Sequence, residues 1–269
     1  MSESVLRLSC FAGVFVLMAL WEQTAPCRPL SMPRLQRWLS HLGLAILNTG
    51  LLRVVLPLAA VGIAEIAQSR SWGLFNVLIV PQALAIVGSL IVLDFVIYGQ
   101  HVLMHVVPWL WRLHQVHHAD LDLDVTTAIR FHPAEMVLSM GLKMATVAIL
   151  GMPPFAVATF EILLNASAMF NHSNIALPPK LEQGLKWILV TPNMHRIHHS
   201  IKPEESNRNF GFNLPWWDHW CGTYQAQPSE AHTTMPLGLA QYRSNTVERL
   251  GWMLLAPFQA KIQPDLQDF

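Results

Sequence analysis

The sequence predicts an all-α integral membrane protein with about four transmembrane helices, one of them a short hairpin, and a histidine-rich helical cap on the cytoplasmic side. Three observations support this. Hydrophobic residues make up 52% of the 269 residues and charged residues only 13%, whereas soluble domains carry about 25% charged residues. Long apolar stretches alternate with basic loops. Eight of the 13 histidines gather in three short boxes.

Apolar runs define the membrane part. Residues 8–21 are uncharged but short for a span, so they form either a signal-peptide core or, as we favour, a retained helix. Residues 39–67 form a second run. Residues 71–93 carry no charge, and we expect one helix there, kinked at Pro81, that continues into the first histidine box. Residues 136–150 and 155–170 flank Gly-Met-Pro-Pro, a strong breaker, and predict a hairpin.

Basic residues predict the orientation of these spans. Arginines follow the first run and precede the histidine boxes, whereas the opposite loops offer only Arg70. Cytoplasmic loops are enriched in Lys and Arg, so the loop at residues 22–38 and all three boxes are expected in the cytoplasm. The net charge of zero gives no indication of nucleic-acid binding.

The histidine boxes predict a dimetal site. Residues at i, i+3 and i+4 share one face of a helix, so each box is expected to present its imidazoles together. A lone pair of this kind is more often core packing, but eight clustered imidazoles, each with two ring nitrogens to satisfy, indicate metal ligands. The predicted ligands are His101, His105, His114, His117, His118, His195, His198 and His199.

His172, in Asn-His-Ser-Asn, is expected to be a ninth ligand, because it follows the second arm of the hairpin, where the chain returns to the cytoplasmic face. The alternative is that it caps the helix or hydrogen-bonds Asn174. The hairpin also places Lys143 and Glu161 nine residues on either side of Met152. An unpaired charge in a bilayer is costly, so we expect these two side chains to pair or to face a polar interior.

Three further residues are candidates for supporting the ligands. Asp94 lies two turns before His101 and either accepts an imidazole N–H or is an interfacial charge. His132 is interpreted as a supporting donor, although a ligand or an ordinary polar contact remains open. Asn193 either supports a ligand or caps the third-box helix. Glu135 is either a carboxylate near the site or a helix N-terminal charge.

The acidic turn at residues 120–124 lacks the glycine and terminal glutamate of a calcium loop and is expected to be solvated.

These motifs resemble the fatty acid hydroxylase/sterol desaturase superfamily of membrane di-iron enzymes, and in detail its bacterial sterol desaturase branch. The resemblance covers about residues 90–224. It includes the three boxes and the stretches Arg-Phe-His-Pro-Ala-Glu from Arg130, Thr-Pro-Asn-Met-His from Thr191 and Asn-Phe-Gly-Phe-Asn from Asn209.

The resemblance implies two iron ions, O₂ as co-substrate and electrons from an external donor of the ferredoxin or cytochrome type. It implies hydroxylation or desaturation of a lipid at the cytoplasmic face of a membrane, for this branch the bacterial inner membrane. Sterol, hopanoid, acyl chain, ether lipid and carotenoid all remain open as substrates. The alternative is a metal-binding or metal-transporting membrane protein. We interpret residues 1–269 as a single domain, with membrane helices at 1–98, the catalytic region at 99–224 and a tail at 225–269.

Overall fold

The computed structural model describes residues 3–259, and within that range the chain is helical, without β-strands. The membrane part consists of α1 (Glu3–Thr24), α2 (Arg34–Val55), α3 (Ala59–Ser69), α4 (Leu74–Val77), α5 (Gln82–Val106), α7 (Pro133–Leu150) and α8 (Pro154–His172). The cap consists of α6 (Pro108–His118), α9 (Pro179–Leu185), α10 (Pro192–His198), α11 (Pro203–Ser206), α12 (Trp216–Cys221), α13 (Leu250–Gln259) and 3₁₀ turns at Val125–Ile129 and Asn245–Glu248. Residues 260–269 of the predicted tail lie outside the described range.

Within residues 3–259, four helical stretches are long and apolar enough to cross a membrane, which confirms the predicted class of integral membrane protein. They are Glu3–Thr24, Arg34–Val77, Gln82–Val106 and Pro133–Leu150. The apolar run at residues 8–21 lies inside the first of these. Helices α3, α5, α7 and α8 share one apolar core, which includes Ala64, Leu93, Val147 and Phe160.

Prolines divide two of the predicted apolar runs, contrary to expectation. The run at residues 71–93 is not one helix kinked at Pro81, because α5 begins directly after Pro81 and the preceding residues form the short α4. The run at residues 39–67 likewise ends one helix at Val55 and begins another at Ala59, around Pro57. Proline lacks the N–H that a continuing helix requires, so both runs break where it stands.

The predicted hairpin is present, and its turn is packed closely. Helix α7 ends at Gly151, whose φ of 66° is left-handed, and α8 begins at Pro154. Gly73, with φ 85°, lies against this turn so tightly that an added Cβ would stand 2.1 Å from the Gly151 nitrogen. Glycine is needed at both positions because other residues pay a steric cost in this conformation and at this distance.

Lys143 and Glu161 form the predicted ion pair between the two arms of the hairpin, with 2.9 Å between Lys143 Nζ and Glu161 Oε1. A third partner joins them. Arg7 of α1 places Nη2 2.6 Å from Glu161 Oε2. Glu161 is therefore a buried carboxylate held by two cations from two different helices.

The acidic turn after the second box is buried, not solvated. Arg37 of α2 binds both Asp120 and Asp124, while Arg130 binds Glu248. All of these side chains are fully buried. Burial by itself raises the pKa of the Asp120 carboxyl, but Arg37 and Arg130 outweigh it and hold that pKa well below its usual range. Against the same effect of burial, Arg37 lowers the pKa of Asp124 as well, so Asp120 and Asp124 stay charged and fasten α2 to the segment that follows α6.

The loop between α1 and α2 packs directly on the cap. The backbone N–H groups of Ser31 and Met32 donate to Asp122, and Arg28 donates to the Met235 carbonyl. This loop and the histidine boxes consequently lie at the same end of the membrane helices.

We expect Glu161→Gln to lower the free energy of unfolding by about 3–5 kcal/mol, since it leaves the buried Lys143 without a carboxylate and Arg7 with Glu3 alone. Lys143→Met should cost less, because Glu161 keeps Arg7 as a partner. Adding Lys143→Met to Glu161→Gln should recover much of the loss. Denaturant unfolding of all four proteins in one detergent measures this cycle, and strictly additive losses would contradict the pairing.

Cysteine labelling in sealed vesicles tests whether the α1–α2 loop and the cap lie on the same side of the membrane. In a background without the three native cysteines, Ser31→Cys and Glu204→Cys should react from the same side of the membrane. Ser69→Cys, exposed at the far end of α3, should react from the other side. Opposite sidedness for positions 31 and 204 would refute this arrangement.

Candidate metal centre

Four helices bring the nine predicted histidines together. His101 and His105 lie at the end of α5, the second box lies on α6, His172 ends α8, and the third box lies on α10 and its C-terminal residue. Pro108 opens α6 directly after α5 and Pro192 opens α10, which fixes where each box begins. All nine side chains are buried.

The nine imidazoles form two groups, each with its nitrogen atoms within 4.8 Å of one another. The first group contains His101, His105, His114, His118 and His198, and the second contains His117, His172, His195 and His199. The second group reaches four members only through His172. The assignment of all nine as metal ligands stays a prediction that this geometry supports.

Each three-histidine box is divided between the two groups, contrary to the expectation that a box presents one face. His117 belongs to the second group, although the other two histidines of its box belong to the first. His198 belongs to the first group, although the other two of its box belong to the second. The reason lies in helix geometry: consecutive residues point about 100° apart, so His117 and His118 point in different directions from α6.

Hydrogen bonds to Nδ1 fix which ring nitrogen is available. His101 Nδ1 lies 2.7 Å from the Phe210 carbonyl oxygen, and His198 Nδ1 lies 2.8 Å from that of Arg208. A carbonyl only accepts, so both Nδ1 atoms carry the proton and both Nε2 atoms carry a lone pair. These two Nε2 atoms are 3.0 Å apart, and two lone pairs cannot share a hydrogen bond.

A cation between the rings resolves this conflict. Two nitrogens at right angles about one ion, each bonded at about 2.1 Å, stand about 3.0 Å apart. Ring nitrogens without hydrogen-bond partners in the second group also indicate a metal site. His199 has no partner for either ring nitrogen, and His117 and His195 have none for Nδ1, among the described residues. Buried polar atoms without partners are costly, so the donor set fits metal binding.

Burial keeps these imidazoles in the form that binds metal. It lowers the pKa of His117, His118, His195 and His199 well below the usual range, and neighbouring imidazoles lower it further. A neutral imidazole offers its lone pair to a metal, whereas a protonated one does not. The rings are therefore neutral around pH 7.

Glu135 supports the first group, a role that the sequence left open. Its Oε1 lies 2.7 Å from His114 Nδ1. A carboxylate in this position orients the ring and raises the basicity of the other nitrogen. His105 Nδ1 similarly lies 3.2 Å from the Asn207 side-chain oxygen. The motif Arg-Phe-His-Pro-Ala-Glu marks Glu135 as a candidate, but the sequence does not show that it contacts His114, which lies 21 residues away in the chain.

Asp94 does not contact an imidazole of the two groups, so of its two alternatives the support of a ligand is not observed. Its carboxylate accepts hydrogen bonds from the Asn213 side chain, the Leu214 N–H and the Trp217 indole. Seven residues separate Asp94 from His101, about 10 Å along the helix axis, which is too far for contact. Asp94 instead anchors the segment before α12 onto α5.

His132 makes ordinary polar contacts, one of the alternatives left open for it, whereas Asn193 neither supports a ligand nor caps α10. His132 Nδ1 accepts from the Ala134 N–H as the N-cap of α7, and Nε2 faces the Leu254 carbonyl. Asn193 accepts from the Arg196 guanidinium, while Thr191 caps α10. Neither contacts a histidine of the two groups.

A cavity of about 380 Å³ adjoins the first group. His101, His114 and Glu135 contribute to its lining, together with apolar side chains such as Ile97 and Met104. It extends among α1, α2, α5, α7 and α8, so the metal centre has access to a space inside the membrane part.

Residues 86–223 match the family model described as fatty acid hydroxylase, just over half of the chain. The chain belongs to the fatty acid hydroxylase family. This confirms the family read from the histidine boxes. The narrower placement in a bacterial sterol desaturase branch stays a prediction.

Curated relatives share the same region. The chain is 31% identical to the ornithine lipid hydroxylase OlsE of Rhizobium tropici over 57% of this chain and 45% of that protein. It is 30% identical to the alkylglycerol monooxygenase of Xenopus tropicalis over 63% and 34%. It is 28% identical to the cholesterol 25-hydroxylase of Homo sapiens over 51% and 50%. The matches thus span half or less of each relative. No solved structure is significantly similar to this chain.

We expect His172→Ala to lower metal affinity by at least the 10–100-fold typical of losing a supporting residue, because the second group falls to three imidazoles. The matched control is His219→Ala, since that exposed ring stacks on Tyr224 outside both groups. Metal content of the purified proteins measures the effect. A folded His172→Ala protein that keeps two ions and full activity would remove His172 from the site.

Glu135→Gln should lower metal affinity about 10–100-fold, because it removes the negative charge behind His114. Asp94→Asn is the matched comparison: we expect reduced stability but unchanged metal content per folded molecule. Metal titration of both variants separates the two carboxylates. Loss of metal affinity in Asp94→Asn but not in Glu135→Gln would instead indicate that Asp94 is the carboxylate that supports a ligand.

Proposed function

We propose that the chain is an O₂-dependent di-iron oxygenase that hydroxylates or desaturates a C–H bond of a membrane lipid. The observation that carries this is the position of two buried imidazole groups beside a cavity inside the membrane helices. Metal ligands and a space for an apolar substrate adjoin each other there. The names of the relatives, two hydroxylases and a monooxygenase, support the same reaction class.

Unactivated C–H bonds resist acid–base chemistry, and iron with O₂ is the oxidant that breaks them when it is bound. The donor set suits this role, since imidazole and carboxylate withstand oxidation whereas thiolate does not. In hydroxylation one oxygen atom enters the C–H bond, and the other leaves as water after uptake of two electrons and two protons. In desaturation two hydrogens leave the lipid, and with the same uptake of two electrons and two protons both oxygen atoms leave as water.

The protein's own residues contribute positioning. The Phe210 and Arg208 carbonyls hold the Nδ1 protons of His101 and His198, so that both Nε2 atoms face inward. Glu135 does the same for His114. Ile97, Met104 and other apolar side chains of the cavity hold the lipid chain and exclude water from the reacting carbon.

We infer that the active site faces the cytoplasm of a bacterial cell, at its inner membrane. The basic loop before α2 supports this orientation, because it packs against the cap that carries the histidines. The electrons come from an external donor of the ferredoxin or cytochrome type, which the cytoplasm supplies.

A metal transporter is the competing function. Transport places ionisable ligands near the middle of the bilayer, along a path. The imidazole groups here lie instead at the ends of α5 and α8 and within the cap. The relatives' names also give no support to transport.

The decisive experiment compares the lipids of cells that express the protein, the His172→Ala variant or the His219→Ala control. A lipid that gains one oxygen, or loses two hydrogens, only with the active proteins supports the oxygenase. The purified protein should contain two iron ions, and chelation or removal of O₂ should abolish the conversion. Iron binding with an unaltered lipid profile would favour the metal-carrier function.

A further inference from the structure

The cavity next to the metal centre also reaches the ion cluster of Arg7, Lys143 and Glu161. Glu135 and Lys143 both lie on α7, eight residues apart, which is about 12 Å along the helix axis. The cavity therefore has a metal end, at Glu135, and a charged end, at Lys143. Ser139, one turn before Lys143, also lines it.

The charged end holds more N–H donors than its carboxylate accepts. Both oxygens of Glu161 are occupied, one by Lys143 at 2.9 Å and one by Arg7 at 2.6 Å. Arg7 also meets Glu3 near the start of α1. Lys143 has Glu161 as its one carboxylate among the described residues, yet an ammonium carries three N–H donors. Two donors of Lys143 are left for another acceptor.

A hydrocarbon chain alone would be a poor occupant of this end. Ionisable groups within a membrane are expensive and usually mark a binding site or pathway. An alkyl chain lying against Lys143 would exclude water and leave the spare donors unpaired, at a cost of several kcal/mol in an apolar medium. An oxygen atom of the substrate would accept those hydrogen bonds.

A smaller groove on the outside of the helices also reaches the charged end of the cavity. Arg7, Phe11, Glu161 and Asn165 line both the cavity and a smaller groove between α1 and α8. The ion cluster thus stands between the cavity and the lipid-facing side of the helices, where a lipid with a polar group can reach it.

We propose that Lys143 and Arg7, held by Glu161, bind a hydrogen-bond-accepting oxygen of the lipid substrate, a hydroxyl or a carboxylate. This inference rests on the proposed function and narrows its substrate class to lipids that carry such an oxygen remote from the oxidised carbon. The apolar part of the lipid fills the space between the two ends. A lipid amine is excluded, because it would add a third cation.

Binding of four probes with one chain length tests the proposal: hexadecanoate, hexadecanol, hexadecylamine and hexadecane. We expect the acid and the alcohol to bind the purified protein at least about tenfold more tightly than hexadecane or the amine. In Arg7→Met/Lys143→Met/Glu161→Gln, which removes both cations and their shared carboxylate, this advantage should disappear, whereas Thr49→Val, a cavity position on α2, should keep it. If the triple variant does not fold, Lys143→Met alone should reduce the advantage, since Glu161 keeps Arg7 as its partner.

Equal binding of hexadecane, tighter binding of the amine, or an advantage unchanged in the Lys143 variants would overturn the proposal. These measurements require no turnover and are repeated on His172→Ala protein. Oxygen selectivity without any lipid oxidation would therefore count against the proposed function alone. Lipid oxidation without oxygen selectivity would count against this proposal alone. A product oxidised at the carbon that bears the oxygen would also overturn it.

Discussion

Nine imidazoles buried next to one another impose the constraint on which the rest of the structure depends. Their inward nitrogens face one another, and five of the rings also have a partner for the outward Nδ1 atom, whereas the other four have none among the described residues. Most of these partners come from elsewhere in the chain: the carbonyls of Arg208 and Phe210, the Asn207 side chain and Glu135 on α7. The cap must fold over α5 and α6 to supply them. Its short helices and long connections thus follow from the hydrogen-bonding needs of the histidines.

Buried charge pairs hold this cap to the membrane part in addition to apolar packing. Arg37 from α2 and Arg130 from the segment after α6 lie among Asp120, Asp124 and Glu248, all without access to water. Removing one partner of such a network leaves an uncompensated charge, which costs several kcal/mol. Asp120 follows His118 by two residues, so the network fixes the end of the helix that carries the second box. Asp94 plays the same part for α12 through three hydrogen bonds.

The sequence predicts the elements better than their contacts. Apolar runs, Gly-Pro breakers and the nine-residue offset about Met152 were enough for the membrane class, the hairpin and the Lys143–Glu161 pair, because these are local or symmetric features. The expected kink at Pro81 is wrong, since a proline is compatible with either a kink or an end. The sequence leaves the roles of Glu135 and Asp94 open, because periodicity describes one helix and their partners lie on others. The expectation of a solvated acidic turn is also wrong, since no local pattern reveals that Arg37 fills it.

The division of each box between the two imidazole groups has a consequence for how the ions enter. Helices α6 and α10 both contribute to both groups, so neither group can be assembled without ordering the same two helices. Binding of the first ion includes the loss of conformational entropy on ordering these helices, and the second ion then binds to ligands that are already in position. Linkage of this kind gives positive cooperativity without any contact between the ions. The protein should accordingly pass from empty to doubly loaded, with little of the singly loaded form at equilibrium.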